Sequence, residues 1–135
     1  MGWKVKSKLK KVKIGIMPLE DFKKRTITIA KGKYKPKRGE PKIWFNSMKS
    51  LANVLSEENQ ELLRLIVDVQ PQSISELEPL TGRKANNLLR TLRTMENYGF
   101  VKLLKSNKSG KGRKPLIPKV VYDIADIEIN FCSSC

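Results

Sequence analysis

The chain has 135 residues, 39% of them hydrophobic, which allows one compact core with extensions. It carries 28 Lys and Arg against 13 Asp and Glu and no His, a net charge of +15 at pH 7, so we expect an anionic partner. No apolar run reaches the length of a membrane span, and the lysine-rich N-terminus lacks the apolar stretch of a signal peptide, so we expect a cytoplasmic protein without membrane association.

The charge is segregated along the chain. Residues 1–42 carry 15 bases and 3 acids, residues 43–82 carry 2 and 6, residues 83–119 carry 11 and 1, and residues 120–135 carry 3 acids and no base. Solubility alone does not require this segregation, whereas a surface that docks on phosphates does.

Residues 1–42 are predicted to form a basic N-terminal extension and linker. Alternation of apolar residues over Val12–Ile16 predicts a strand, and apolar spacing from Leu19 onward predicts a helix. The segment "KGKYKPKRGEPK", with its Pro and Gly residues, predicts a linker.

A helical domain is predicted from residue 43 onward, opened by a short strand in "KIWF". A helix capped by Asn46 or Ser47 follows it, and a second helix over residues 57–69 is capped by Ser56 and ended by Pro71. The residues predicted to be buried on these two helices are Met48, Leu51, Ala52, Leu55, Leu62, Leu65, Ile66 and Val69.

The stretch "SISELEPLTG" predicts a short helix and a turn. Ser75 and Glu78 have the spacing of a capping box, Leu77 and Leu80 are predicted to form a buried pair, and Gly82 allows a sharp turn.

A long helix is predicted over residues 84–98, buried through Leu88, Leu92 and Met95 and ended by Gly99. A strand over residues 100–104, a basic loop over residues 105–115 and a return strand over residues 116–122 are predicted to follow. The domain therefore spans residues 43–121, and residues 122–135 form a C-terminal strand and tail. The fold class is mainly α with a small β-wing, in the α+β class.

The start of the long helix combines residue types that read DNA. Asn86 and Asn87 match the donors and acceptors of adenine, and Arg90 matches guanine. Basic residues beside a helix N-terminus, and in the loop over residues 105–115, suit phosphates or a minor groove. The predicted DNA-binding residues are Arg83, Lys84, Ala85, Asn86, Asn87, Arg90, Thr91, Lys108, Lys111, Arg113 and Lys114.

These features also allow interpretations other than DNA binding. The long helix can be an ordinary amphipathic helix with a solvated basic face, and the loop lysines can serve solubility alone. An enzyme is disfavoured because histidine, the commonest general base, is absent. Cys132 and Cys135 are interpreted as free thiols in a frayed tail, with a four-thiolate site across a dimer as the alternative; no metal or cofactor is expected.

The run "ISELEPLTGRKANNLLRTLRTMENYGFVKL", followed by the basic loop and "KPLIPKVVYDIADIEI", resembles a winged helix-turn-helix domain of the MarR-like regulators. The run from "MPLEDF" through "WFNSMKSLANVLSEENQELLRLI" to "YDIADIEINF" is similar to a group of archaeal and bacterial DNA-binding regulators, some of which serve as antitoxins. The resemblance implies a homodimeric, sequence-specific transcriptional regulator of double-stranded DNA. Its dimer elements are expected in the strands Val12–Ile16 and Ile127–Phe131 and in the helix Met48–Leu55. Alternatives are an antitoxin that binds a toxin protein and autoregulates its operon, and a basic RNA-binding protein.

Overall fold

The computed structural model describes residues 9–32, 39–106, 115–129 and 131. The described residues form helices and two small sheets, and most helices follow one another in sequence, as do the last three strands, so the protein belongs to the α+β class. The chain divides into two compact units. The first comprises Met1–Leu51 and Tyr122–Cys135, and the second comprises Ala52–Val121.

The first unit is built around a parallel sheet in which strands from both ends of the chain meet. Its strands are β1 (Lys11–Ile16), β2 (Ile43–Phe45) and β5 (Ile124–Ile129), in the order β2-β1-β5. Helix α1 (Leu19–Ala30) connects β1 to β2 in sequence. Ile14 pairs with Ile43 on one side and with Ile127 on the other, which places these apolar residues on one face of the sheet. The predicted strands at residues 12–16 and in "KIWF", and the predicted helix from Leu19, are confirmed.

Gly15 is required by the close approach of Trp44 on the neighbouring strand. The two residues are paired in the β1–β2 register, and a Cβ at Gly15 would overlap the indole ring and lie 2.9 Å from Cγ of Pro41. The Arg25 guanidinium lies 5.1 Å from the centroid of the Trp44 ring and also pairs with Glu40 at 2.5 Å. A glycine within this strand is therefore a packing requirement.

The second unit consists of helices followed by an antiparallel hairpin. Helix α2 (Met48–Val54) leads into it, and α3 (Glu57–Val69), a 3₁₀ turn (Ser75–Leu77), α4 (Glu78–Thr81) and α5 (Ala85–Tyr98) follow. Strands β3 (Val101–Lys105) and β4 (Leu116–Val120) then pair antiparallel. The core residues of this unit are Leu62, Ile66, Ile74, Leu77, Leu88, Leu92, Met95, Phe100 and Val101.

The predicted capping box is wrong in its position, by two residues. The reciprocal bonds join Ser73 and Glu76: the Glu76 amide donates to Ser73 Oγ at 3.3 Å, and the Ser73 amide donates to Glu76 Oε2 at 3.1 Å. Ser75 makes no such bond because it already lies inside the 3₁₀ turn. The chain therefore turns into helix earlier than the sequence predicts.

Several residues predicted to be buried are exposed, and they lie at or near helix ends. Leu80 is 53% exposed, Met48 47% and Val69 45%, and Ala52 is exposed as well. Periodicity assigns a residue to a helix face but does not show how far the packing partner extends along that face. Helix α4 is a single turn whose one leucine, Leu80, is exposed, whereas Leu77 in the preceding 3₁₀ turn is buried.

Within the described residues, no helix is both long and apolar enough to cross a membrane. The same part of the chain contains no group of three or more His, Cys, Asp or Glu side chains arranged to hold a metal ion.

Candidate nucleic-acid interface

Helix α5 is anchored in the core of the second unit along one face. Leu88, Leu92 and Met95 are each 0% exposed, at the spacing of four and three residues that places side chains on one side of a helix. The helix ends at Gly99, whose φ of 94° is the left-handed conformation expected after a helix. The predicted buried face and the predicted end of this helix are confirmed.

The opposite face of α5 is exposed and rich in hydrogen-bonding groups. With 3.6 residues per turn, its exposed residues fall within a sector of about 120° around the helix axis. They include two arginines, three asparagines and one threonine, and no acid. The exposed residues are Asn86, Asn87, Arg90, Arg93, Thr94 and Asn97. We call this set the α5 face.

The turn before α5 is fixed by local hydrogen bonds. Thr81 Oγ1 donates to the Leu77 carbonyl at 2.7 Å and accepts from the Arg83 amide at 3.1 Å, while Gly82 has a φ of 73°. Lys84 has extended backbone angles and makes no side-chain bond to cap the helix. The first-turn amides of α5, which carry the positive end of the helix dipole, therefore have no side-chain cap.

Arg83 is held against α3 and is only partly accessible. Its side chain is 20% exposed, and its guanidinium donates to Asn59 Oδ1 at 3.2 Å and lies 3.6 Å from the Glu58 carboxylate. Asn59 is fixed in turn by donating to the Val54 carbonyl at 2.9 Å. The predicted contact of Arg83 with phosphate stays a prediction, and the structure adds a second function, namely joining the turn to α3.

Glu96, the one acid of α5, is not part of the exposed face. Its carboxylate accepts from the Leu103 amide at 2.9 Å and from Arg93 at 3.3 Å, so it joins the helix to β3. Arg93 is thereby partly neutralised, although its side chain remains 55% exposed. Arg90 is exposed and forms no ion pair within the described part of the chain.

The remaining predicted site residues fall into two groups. Lys84 is exposed at the start of α5, and Ala85 and Thr91 are half-buried at the edges of the α5 face. The four loop cations predicted to contact the DNA backbone lie outside the described residues: Lys108, Lys111, Arg113 and Lys114. We call these four residues the wing cations.

The two strands of the hairpin stay paired up to the residues that flank the segment with the wing cations. Lys105 pairs with Leu116, and the Ser106 amide donates to the Pro115 carbonyl at 2.9 Å. The segment with the wing cations is therefore bounded by two residues that are hydrogen-bonded to each other.

Three residues of the α5 face are not among those predicted from the sequence. They are Arg93, Thr94 and Asn97, and the signal for them is helical spacing. Thr94 follows Arg90 by four residues, while Arg93 and Asn97 follow Asn86 and Arg90 by seven, so all three continue the predicted face along the helix. The structure thus extends the candidate interface towards the end of α5.

Comparison with known proteins adds one match. The model of the HVO_A0114 family matches residues 54–125, just over half of the chain, and this stretch contains α3, α4, α5 and the hairpin. No curated protein and no solved structure matches the chain.

Proposed function

Because the chain belongs to the HVO_A0114 family, whose matched region includes α5, we propose that this region is a winged helix-turn-helix domain of the MarR-like type. We propose further that the protein is a homodimeric, sequence-specific transcriptional regulator in the cytoplasm. In this proposal α4 and α5 are the two helices of the motif, α5 enters the major groove, and the segment between β3 and β4 is the wing.

The observation that carries the proposal is the α5 face. A solvated helix face in a monomer normally mixes acids with bases, whereas this face has arginine and amide side chains and no acid. Arg90 and the asparagines supply the side-chain chemistry that distinguishes guanine and adenine in the major groove. The buried residues of the same helix fix the orientation of that face on the domain.

The uncapped start of α5 supports the proposal as a phosphate contact. First-turn amides and the positive end of a helix dipole favour an anion, and Lys84 lies exposed beside them. The wing cations would add further backbone contacts. Phosphate contacts fix the register of the protein on the duplex, and the α5 face would then read the sequence.

Two experiments test this function. Selection of bound duplexes from random DNA should enrich one motif, arranged as two half-sites if the protein acts as a dimer. If a dimer neutralises about 6 to 10 phosphates, the logarithm of the affinity should fall against the logarithm of salt concentration with a slope of about −5 to −9. A slope near zero would rule out binding through the DNA backbone.

The same experiments separate DNA reading from RNA binding, the alternative that fits the net charge of +15. An RNA-binding protein should hold structured RNA as tightly as duplex DNA and should enrich no DNA motif, because it would contact duplex DNA through the phosphates alone. The antitoxin alternative adds a protein partner to DNA binding, and a toxin gene beside this one would favour it.

A further inference from the structure

An open groove lies between α3 and α4. Unlike the α5 face, it is lined by leucines and acids. Its volume is about 510 Å³. Three leucines, three charged residues and one threonine line it: Leu62, Leu65, Leu80, Glu58, Glu61, Arg83 and Thr81. Leu80 is 53% exposed, whereas Leu62 is 2% exposed and forms the link to the core.

The groove residues of α3 lie along one side of that helix over about two turns. Glu58, Glu61 and Leu65 are three and four residues apart and so lie on one side of α3. From Glu58 to Leu65 the helix rises about 10 Å, or about two turns. A second helix lying along α3 would place apolar side chains at this same spacing between Leu65 and Leu80.

The charge of this region is opposite to that of the chain. The groove lining carries two acids, Glu58 and Glu61, against one base, Arg83, and the segment 57–82 that supplies the rest of the lining carries six acids and one base, in a protein whose net charge is +15. Glu61 is exposed, and the Glu58 side chain is 85% exposed even though it lies 3.6 Å from Arg83. Nucleic acid and anionic lipid are repelled by such a rim, and a cationic occupant is attracted.

We propose that the groove between α3 and α4 docks a basic amphipathic helix of a partner protein. Leucine-like side chains of that helix fill the space between Leu62, Leu65 and Leu80, and its lysines or arginines pair with Glu58 and Glu61. Apolar side chains in the groove provide most of the affinity, and the acidic rim selects the charge of the partner. The groove shares Arg83 with the predicted phosphate contacts, but its binding of a helix does not require that the protein bind DNA.

Synthetic helices test the proposal directly. The probe is an amphipathic peptide of about 14 residues built from leucine and lysine, and its control is the matched leucine–glutamate peptide. The net charge of the protein as a whole favours the glutamate peptide. Tighter binding of the lysine peptide by about tenfold or more is therefore expected only if the local acidic groove is the site.

Two pairs of variants locate the binding. Leu80→Ser should weaken the lysine peptide by about tenfold, which corresponds to about 1.4 kcal/mol, while Ile27→Ser, which changes a residue of α1 with the same 53% exposure, should not. The double variant Glu58→Lys, Glu61→Lys should bind the glutamate peptide more tightly than the lysine peptide, the reverse of wild type. Glu20→Lys with Asp21→Lys adds the same charge on exposed positions of α1 and should leave the preference unchanged.

Circular dichroism of each variant shows whether it is folded. The Leu80→Ser variant should fold, because Leu80 is exposed and its replacement removes little packing. The proposal is overturned if the glutamate peptide binds wild type as tightly as the lysine peptide, or if the Glu58 and Glu61 reversal leaves the preference intact. It is also overturned if sedimentation shows self-association that Leu80→Ser abolishes, because the occupant would then be a second copy of the chain.

Discussion

Replacing Arg90 with alanine is the most direct test of sequence reading by α5. Arg90 is exposed, forms no ion pair within the described residues, and lies one turn beyond Asn86 on the same side of the helix. A guanidinium that makes two hydrogen bonds to guanine contributes about 1 to 3 kcal/mol of discrimination. The variant should therefore bind each half-site about 5- to 150-fold more weakly and should lose its preference for one base in that half-site.

The folded domain should tolerate this change. Arginine and alanine have similar helix propensities, and the Thr94 hydroxyl bonds to the main-chain carbonyl of residue 90, which the substitution leaves in place. The melting temperature should barely move. A loss of affinity in the variant can then be assigned to the interface.

The assay is a titration of wild type and variant on the selected duplex and on a random duplex at one salt concentration. Arg64→Ala is the matched control, because it removes the same charge from an exposed position inside α3. The control should lose little affinity on either duplex. Equal losses on both duplexes for Arg90→Ala would indicate that Arg90 contacts phosphate and not a base. A large fall in melting temperature would show that Arg90 lies on a packed face of α5 and not on an exposed one.

Three further substitutions test the wing, the parallel sheet and the capping box. Replacing all four wing cations with alanine should lower the affinity for every duplex about equally and flatten its salt dependence. The order of preferred sites should stay the same, and a changed order would show that the wing contacts bases. Gly15→Ala should lower the free energy of unfolding by about 1 to 3 kcal/mol, measured by urea denaturation. It should cost less in a Trp44→Ala background, since the closer overlap, with the indole, is then gone and only the contact with Pro41 is left. Ser73→Ala should cost about 1 kcal/mol in the same measurement and Ser75→Ala much less, because only Ser73 makes the reciprocal bond to Glu76; equal costs would contradict the observed capping box.

The sequence predicts helix bounds well wherever the signal is local. Ser56 Oγ accepts from the Asn59 amide at 3.3 Å, as a cap for α3 requires, and the observed bounds Glu57–Val69 agree with the prediction. The end of α5 at Gly99 is confirmed for the same reason, since a left-handed residue after the last turn is a property of a few consecutive residues.

Pairing between distant strands is not predictable from the same information. Alternation indicates strands near both ends of the chain, but it does not identify β1 and β5 as parallel neighbours. The pairing is accompanied by a bond from the Lys10 amide to Asp123, across 113 positions of sequence. A strand pattern specifies which face is apolar and leaves the partner open.

The candidate site shows the same division between local and distant information. The residues of the α5 face follow from helical spacing once the buried stripe of Leu88, Leu92 and Met95 is known. The contacts of Arg83 with Asn59 and Glu58 do not, because they depend on how the turn lies against α3. Local sequence thus identifies a candidate reading face, and only the three-dimensional arrangement shows which cations already have partners.

Arg83 lies between an acidic and a basic segment of the second unit, and its position affects how a polyanion can approach. Residues 83–119 carry 11 bases and one acid, while residues 57–82 carry six acids and one base, so a polyanion is attracted to one part of this unit and repelled from another. Arg83 lies where the two segments meet, and it pairs with Glu58, an acid at the start of α3. If α5 enters a major groove, a phosphate near the start of α5 meets a carboxylate that is already partly neutralised. The Arg83–Glu58 pair would reduce the repulsion between that phosphate and the acidic start of α3, while the positive charge of residues 83–119 attracts the DNA to the part of the unit that carries α5.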